Sequence, residues 1–143
     1  MAPSRRAEET TQKIHSVAIR LLRFVRKEDA ASGIPPAQLS ALSVLVFAGP
    51  QTLSALAAAE QVKPPTMSQL VAALERSGLA ARAPIDRRSV RISATEKGRR
   101  LLHAGRKRRL VTLTAALSRL PAQKLSVLCE AAEIIVAALE SAP

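Results

Sequence analysis

The sequence predicts a mainly α-helical protein with one small β-hairpin. Apolar residues make up 48% of its 143 residues and aromatic residues only 1%, so its apolar content is mostly alanine, leucine and valine. This composition favours helices over a β-sandwich. Apolar residues recur at helical spacing along most of the chain, and one segment near residue 90 alternates instead. Together these observations predict four helices, then two strands, then two more helices.

Four helices precede the hairpin. Each has apolar residues three and four positions apart, which gives the helix one apolar face. Thr52 is the predicted N-cap of the third helix, Pro65 begins the fourth, and Gly78 ends it. These helices cover residues 8–30, 36–48, 53–61 and 65–77.

The hairpin follows directly. Residues 79–84 and 89–93 are predicted to pair as strands around a charged tip at residues 85–88. Val90 and Ile92 alternate with polar residues, the period-2 pattern of a half-buried strand. The first strand is rich in alanine, so its position between helix and tip predicts it more than its residues do.

Two further helices complete the chain. Thr95 is the predicted N-cap of a long helix that reaches about residue 119, and Glu96 lies in its first turn, where negative charge is favourable. Pro121 begins the last helix, which reaches about residue 140. Cys129 lies on the apolar stripe of this helix, where a buried thiol is usually inert.

Two short helices joined by a tight turn, followed by a hairpin, form a winged helix-turn-helix. In this fold the second helix of the pair enters the major groove of DNA, and the hairpin, or wing, touches the backbone or the minor groove. Glutamine can pair with adenine, and serine or threonine can bind phosphate or base. The alternative is an ordinary polar face of a surface helix. The predicted DNA-binding residues of this recognition helix are Lys63, Pro65, Thr66, Ser68 and Gln69.

The charge of the chain points to a polyanionic partner. The formal net charge is +11, and residues 82–109 hold eleven basic residues against two acidic ones. Arginine suits phosphates and narrow minor grooves because its planar guanidinium makes paired hydrogen bonds. For residues 106–109 a solvated helix face is the alternative. The predicted DNA-binding arginines of the wing are Arg82, Arg87 and Arg88.

Several classes of function lack support in the sequence. A single cysteine excludes an internal disulfide and a cysteine-rich metal site, and neither a metal nor a cofactor is expected. The sequence has no carboxylate pair, Cys/His arrangement or phosphate-binding glycine loop, so we expect no enzyme. No apolar run is long enough to cross a bilayer, and the polar residues 1–9 lack the core of a signal peptide, which predicts a cytoplasmic protein without membrane contact. A basic winged-helix module that binds RNA or a protein partner remains the alternative function.

Four stretches of the sequence resemble the MarR family of bacterial transcription regulators. The last stretch contains a D-x-R wing tip at Asp86 and Arg88 and a T-x-x-G helix start at Thr95 and Gly98. By motif the resemblance covers about residues 36–100, and by helix order it extends to the whole chain. The four stretches are residues 52–57, 65–68, 74–79 and 86–98.

The resemblance implies a regulator that binds a pseudo-palindromic DNA operator as a homodimer. It implies that Arg88 reaches into the minor groove and that Asp86 orients it. Many members are repressors released by a small, often phenolic, ligand bound between the dimerisation and DNA-binding parts. The expected organisation is one domain, 1–143, with a DNA-binding part at 36–98 and helical dimerisation parts at 8–30 and 99–140.

The sequence departs from the family pattern at four points. Gln69 stands where a basic residue is common, which predicts polar contacts from the recognition helix. Pro64 adds a second proline to the turn and should stiffen the start of that helix. Ala94 stands where leucine is usual. The scarcity of aromatic residues argues against a pocket that stacks on an aromatic ligand, and the absence of tyrosine argues against redox sensing by Cys129.

Overall fold

The computed structural model describes residues 4–142 and confirms a mainly helical fold with a small antiparallel sheet. In chain order the elements are α1 (Arg5–Arg26), a 3₁₀ helix (Lys27–Ser32), α2 (Pro36–Phe47), β1 (Gln51–Thr52), α3 (Leu53–Ala59), α4 (Pro64–Arg76), β2 (Ala80–Pro84), β3 (Val90–Ala94), α5 (Glu96–Leu117) and α6 (Ala122–Glu140).

Side-chain caps decide where three of the helices begin. The hydroxyl of Ser4 accepts a hydrogen bond from Ala7 N at 3.2 Å, so α1 begins at Arg5 and not at residue 8 as the apolar spacing predicted. Thr52 accepts from Ala55 N at 3.2 Å and Thr95 from Gly98 N at 3.1 Å, which confirms both predicted caps. These bonds satisfy backbone N–H groups that have no partner inside the helix.

Two helix ends differ from the prediction for backbone reasons. After Arg26 the chain tightens into the 3₁₀ helix and leaves it at Gly33, whose φ of +69° suits glycine. Helix α3 ends at Ala59, two residues early, because Gln61 adopts a φ of +54° that no α-helix accepts.

A strand that the sequence analysis missed completes the sheet. Gln51 and Thr52 form β1, which pairs antiparallel with β3 and makes the strand order β1-β3-β2. Two residues are too few to show an alternating pattern. The predicted hairpin is confirmed, with Ala80 opposite Ala94 and Pro84 opposite Val90.

The chain divides into two compact units, Met1–Arg109 and Leu110–Pro143. The first unit contains the hydrophobic core, where α2, α3 and α4 pack against one another and on the sheet. The largest fully buried side chains are Leu42, Leu56, Met67, Val71, Leu74, Leu79 and Ile92. The second unit contains the end of α5 and all of α6, and no residue of α6 is buried in the single chain.

Within residues 4–142, no single helix combines the length and apolarity that crossing a membrane requires. The bent pair Arg5–Ser32 and Pro36–Phe47, which turns through 94°, meets that test of length and composition only when taken together.

Two glycines of α5 allow a matched test of packing. A Cβ at Gly98 would overlap the backbone carbonyl oxygen of Leu79 and lie 3.1 Å from Leu42 Cδ1, whereas one at Gly105 would meet nothing closer than Arg108 Nη2 at 3.6 Å. Gly98→Ala should therefore lower the free energy of unfolding by about 1–3 kcal/mol. Gly105→Ala should raise it by about 0.5–1 kcal/mol, because alanine favours a helix.

Urea unfolding at one fixed protein concentration measures both changes. Equal stabilities of the two variants would show that α5 does not pack on Leu79 as described.

Candidate nucleic-acid interface

Helix α4 presents a polar face near its N-terminus. Met67, Val71 and Leu74 are buried in the core, which turns the opposite side of the helix outward. Of the predicted contact residues, Lys63, Pro65, Thr66 and Gln69 are exposed and Ser68 is half-buried.

The start of α4 differs from the prediction by one residue. The helix begins at Pro64, not Pro65, with Lys63 in extended conformation before it. Neither proline carries a backbone N–H, so two positions of the first turn cannot donate to an anion. Side chains, more than the backbone, must therefore supply the hydrogen-bond donors at this end of the helix.

The tip of the wing is closed by Asp86. Its Oδ1 accepts hydrogen bonds from the backbone N–H of Arg88 at 2.7 Å and of Ser89 at 2.8 Å, and Ile85 N donates to Ser89 O at 2.9 Å. Within residues 4–142 the Asp86 carboxylate makes no ion pair with the Arg88 side chain. Asp86 thus orders the backbone from which the exposed Arg87 and Arg88 project.

These hydrogen bonds favour the ionised form of Asp86. Donation from the Arg88 N–H, and then from the hydroxyl and N–H of Ser89, lowers the pKa of Asp86 from its usual value of 3.8. The carboxylate therefore closes the tip at neutral pH.

Arg82 lies at the root of the wing and faces α4. Its Nε donates to Glu75 Oε2 at 3.0 Å, and the side chains of Arg82 and Glu75 are 35% and 32% exposed. The sequence analysis singled out Arg82 as a DNA ligand but did not identify Glu75. The six residues between them run through the end of a helix and into a strand, so no local spacing rule connects them.

The start of α5 holds the C-terminal end of α4. Thr95 Oγ1 donates to Gly78 O at 2.6 Å and Lys97 Nζ donates to Ser77 O at 2.8 Å. Gly78 has a φ of +70°, which turns the chain out of the helix and exposes these carbonyls to new partners. In the sequence, Lys97 is one of many basic residues. Its hydrogen bond to Ser77 O shows that it holds the end of α4.

The basic residues of the segment 82–109 do not form one surface. Arg100 Nε lies 3.4 Å from Glu96 Oε1, and Arg109 Nε lies 3.4 Å from Asp29 Oδ1. Arg108 and Arg109 are half-buried, so neither forms part of a solvated helix face or of an exposed DNA-binding patch. The clustering of these charges in the sequence therefore overstates the charge available to the wing.

Arg108 and Arg109 instead line a cavity of about 540 Å³ in the first unit. The buried Nε of Arg108 has no hydrogen-bond partner among the described residues. The cavity also includes Arg26 and Asp29. The remaining side chains around it are largely aliphatic, among them Leu22, Val25, Ile34, Leu39, Leu101 and Leu102.

No metal centre is evident in the part of the chain that the structure describes, since no three or more His, Cys, Asp or Glu residues there are grouped to hold an ion. Cys129 is exposed in the single chain, and its Sγ lies 3.8 Å from Glu133 Oε1.

The sequence is similar to known transcription regulators. A sequence profile of the MarR family matches residues 32–89. An HTH-type transcriptional regulator of Mycobacterium tuberculosis is 36% identical over 127 residues, which are 87% of this chain and 89% of the relative. A similar regulator of Mycobacterium leprae is 35% identical over the same share of each chain.

The fold is similar to those of solved structures over nearly the full length of this chain. A MarR family protein from Bacillus stearothermophilus superposes with a TM-score of 0.81 at 25% identity and covers 99% of this chain and 100% of its own. A regulator from Pseudomonas aeruginosa superposes with a TM-score of 0.80 at 28% identity over the same shares.

The pKa of Asp86 predicts how the wing tip responds to acid. Because that pKa is lowered in the folded chain, the carboxylate contributes stability that is present above the ordinary Asp value and is lost as pH falls through the lowered pKa. NMR amide shifts of Arg88 and Ser89 should therefore follow a titration whose midpoint lies below 3.8. Asp86→Asn should lack this transition, and a midpoint above 3.8 in the unmodified chain would contradict the cap.

Proposed function

The chain belongs to the MarR family, and from this we propose that it is a repressor that binds duplex DNA sequence-specifically as a homodimer. The single observation that carries the proposal is that one compact unit holds both an exposed polar face at the start of α4 and an ordered wing tip with two exposed arginines. A helix of this kind fits the major groove, and arginines suit the minor groove beside it.

The proposed contacts divide into base reading and backbone or minor-groove binding. The polar residues of α4 would read base edges, with Gln69 suited to adenine. The wing would supply Arg88 to the minor groove, from a backbone that Asp86 orders. The residues proposed to serve DNA binding, by contact or by ordering the wing, are Lys63, Pro65, Thr66, Ser68 and Gln69 from the recognition helix, and Arg82, Asp86, Arg87 and Arg88 from the wing.

Exposed apolar side chains support the homodimer. On α6, Leu139, Val127 and Ile134 are 71%, 64% and 60% exposed, and on α1 Val17 is 61% exposed. Large apolar side chains that a single chain leaves exposed along a helix are typical of an interface. A two-fold dimer also matches a pseudo-palindromic operator, because each subunit reads one half-site. Sedimentation equilibrium tests this proposal and should give twice the chain mass of 15.2 kDa.

The cavity beside Arg108 supports relief of repression by a small ligand. Its volume of about 540 Å³ lies in the range of small-molecule sites. The guanidinium groups of Arg26 and Arg108 suit an acid group, and the aliphatic walls suit the body of a small aromatic or phenolic acid. Such a ligand releases DNA only if it binds one conformation more tightly. A thermal-shift screen of small aromatic acids tests this part of the proposal.

Under this proposal the protein lies in the cytoplasm, where it would meet its DNA. The sequence analysis predicted the same location. No observation in the structure favours RNA or an acidic protein over duplex DNA, so those partners serve as outcomes of the test that follows.

Arg88→Ala should weaken binding to the DNA upstream of the protein's own gene by about tenfold, because it removes a minor-groove contact from an exposed tip without touching the core. Arg119→Ala is the matched control: it removes one exposed positive charge outside the wing and should change the affinity by less than about twofold. Titration across a salt series measures both, and affinity should fall steeply with salt as counterions are released.

Three results would count against the proposal. Normal binding by Arg88→Ala would show that the wing assignment is wrong. No preference over random DNA at moderate salt would remove sequence specificity. Tighter binding to RNA than to duplex DNA would favour the alternative function.

A further inference from the structure

The ion pair between Arg82 and Glu75 joins the two elements that the proposed function brings to DNA. Glu75 lies in the last turn of α4, and Arg82 lies in β2, at the root of the wing. The two side chains are about one third exposed, so water screens the pair only in part. The pair therefore ties the wing to the recognition helix from the side.

The register of the sheet explains why Arg82 faces α4. Arg82 lies directly opposite Ile92, and Ala80 lies directly opposite Ala94. Residues opposite one another in an antiparallel pair project from the same face of the sheet. Because Ile92, Ala80 and Ala94 are buried, Arg82 leaves the sheet on its core-facing side, toward α4.

A small rotation at the root of the wing moves its tip a long way. β2 is extended from Arg82 to Pro84, and the bends of the tip at residues 85–88 lie beyond its end, so the tip reaches about 10 Å from Arg82. A rotation of about 10° at the root would move the tip by about 2 Å over that length. A hydrogen bond tolerates only a few tenths of an ångström around roughly 2.9 Å. Contacts made by the tip arginines therefore depend on a fixed angle between the wing and α4.

Other hydrogen bonds hold the C-terminal end of α4 and the tip of the wing. Lys97 and Thr95 hold the carbonyls at the end of α4, and Asp86 closes the tip. Buried Ala80, Ile92 and Ala94 anchor the root of the wing in the core, and the Arg82–Glu75 pair adds a direct side-chain link between the wing and α4.

We propose that Arg82 is a positioning residue, which serves DNA binding through Glu75 by fixing the wing against the recognition helix, and not a phosphate ligand. The proposal rests on the proposed function, and it makes Glu75, an acidic residue, a contributor to binding a polyanion.

Glu75→Gln separates two roles of Arg82, because the two roles predict different changes in the affinity for DNA. If Arg82 bound phosphate directly, removal of the competing carboxylate would leave the affinity unchanged or raise it. If Arg82 positions the wing, the same change should weaken binding by about threefold to tenfold. Glu60→Gln is the matched control, because Glu60 makes no ion pair within residues 4–142 and its loss removes the same charge. It should not weaken binding.

Charge reversal gives a second test. Arg82→Glu alone should weaken binding strongly under either role. Combining it with Glu75→Arg restores an ion pair at the same place, and the double variant should recover to within about threefold of the original affinity. A double variant that binds as weakly as Arg82→Glu, while unfolding at the original temperature, would overturn the proposal.

Amide hydrogen exchange in the DNA-free protein keeps this inference distinct from the proposed function. Glu75→Gln should speed exchange in β2, β3 and the tip between them, while the core of α4 keeps its protection. If the unmodified protein does not bind duplex DNA, the proposed function fails, and unchanged exchange in Glu75→Gln would overturn the positioning role independently.

Discussion

The close approach of α5 to the chain at Leu79 is the contact on which the arrangement of the first unit depends. Gly98 has no side chain, so α5 packs against the Leu79 carbonyl and against Leu42 of α2. At the same place Thr95 caps α5 with its hydroxyl oxygen and donates its proton to Gly78 at the end of α4. The end of α4, the root of the wing and the start of α5 therefore share one junction.

That junction accounts for the division of roles among the charged residues around it. Lys97 donates a hydrogen bond to the carbonyl of Ser77, and Arg82 forms an ion pair with Glu75. The Asp86 carboxylate accepts hydrogen bonds from the backbone of the tip. Each holds part of the protein in place, which leaves Arg87 and Arg88 exposed at the tip. The same unit keeps Arg108 and Arg109 half-buried beside the cavity. A basic segment that is continuous in the sequence is thus divided among residues that hold the fold, exposed residues of the wing tip and residues that line the cavity.

Elements with a strong local signal were predicted well. Helix caps at Thr52 and Thr95 follow from hydrogen bonds made within three residues, and the hairpin follows from alternation in β3. Elements that depend on a distant partner were missed. Strand β1 exists because Gln51 and Thr52 meet β3 some forty residues later, and two residues show no period. The tightening of the chain into a 3₁₀ helix after Arg26 also had no signal in the apolar spacing.

The sequence by itself determined the helical class, the hairpin, the caps at Thr52 and Thr95 and the family, because these depend on residue type at short spacing. It also placed the exposed residues of α4 and of the wing tip, since the apolar stripe of a helix and the charge of a turn are local features. Only the tertiary structure decided the partners of Arg82, Lys97 and Arg109. Those partners lie on other elements, and side-chain charge alone does not specify which surface a long, flexible residue will reach once the core has packed.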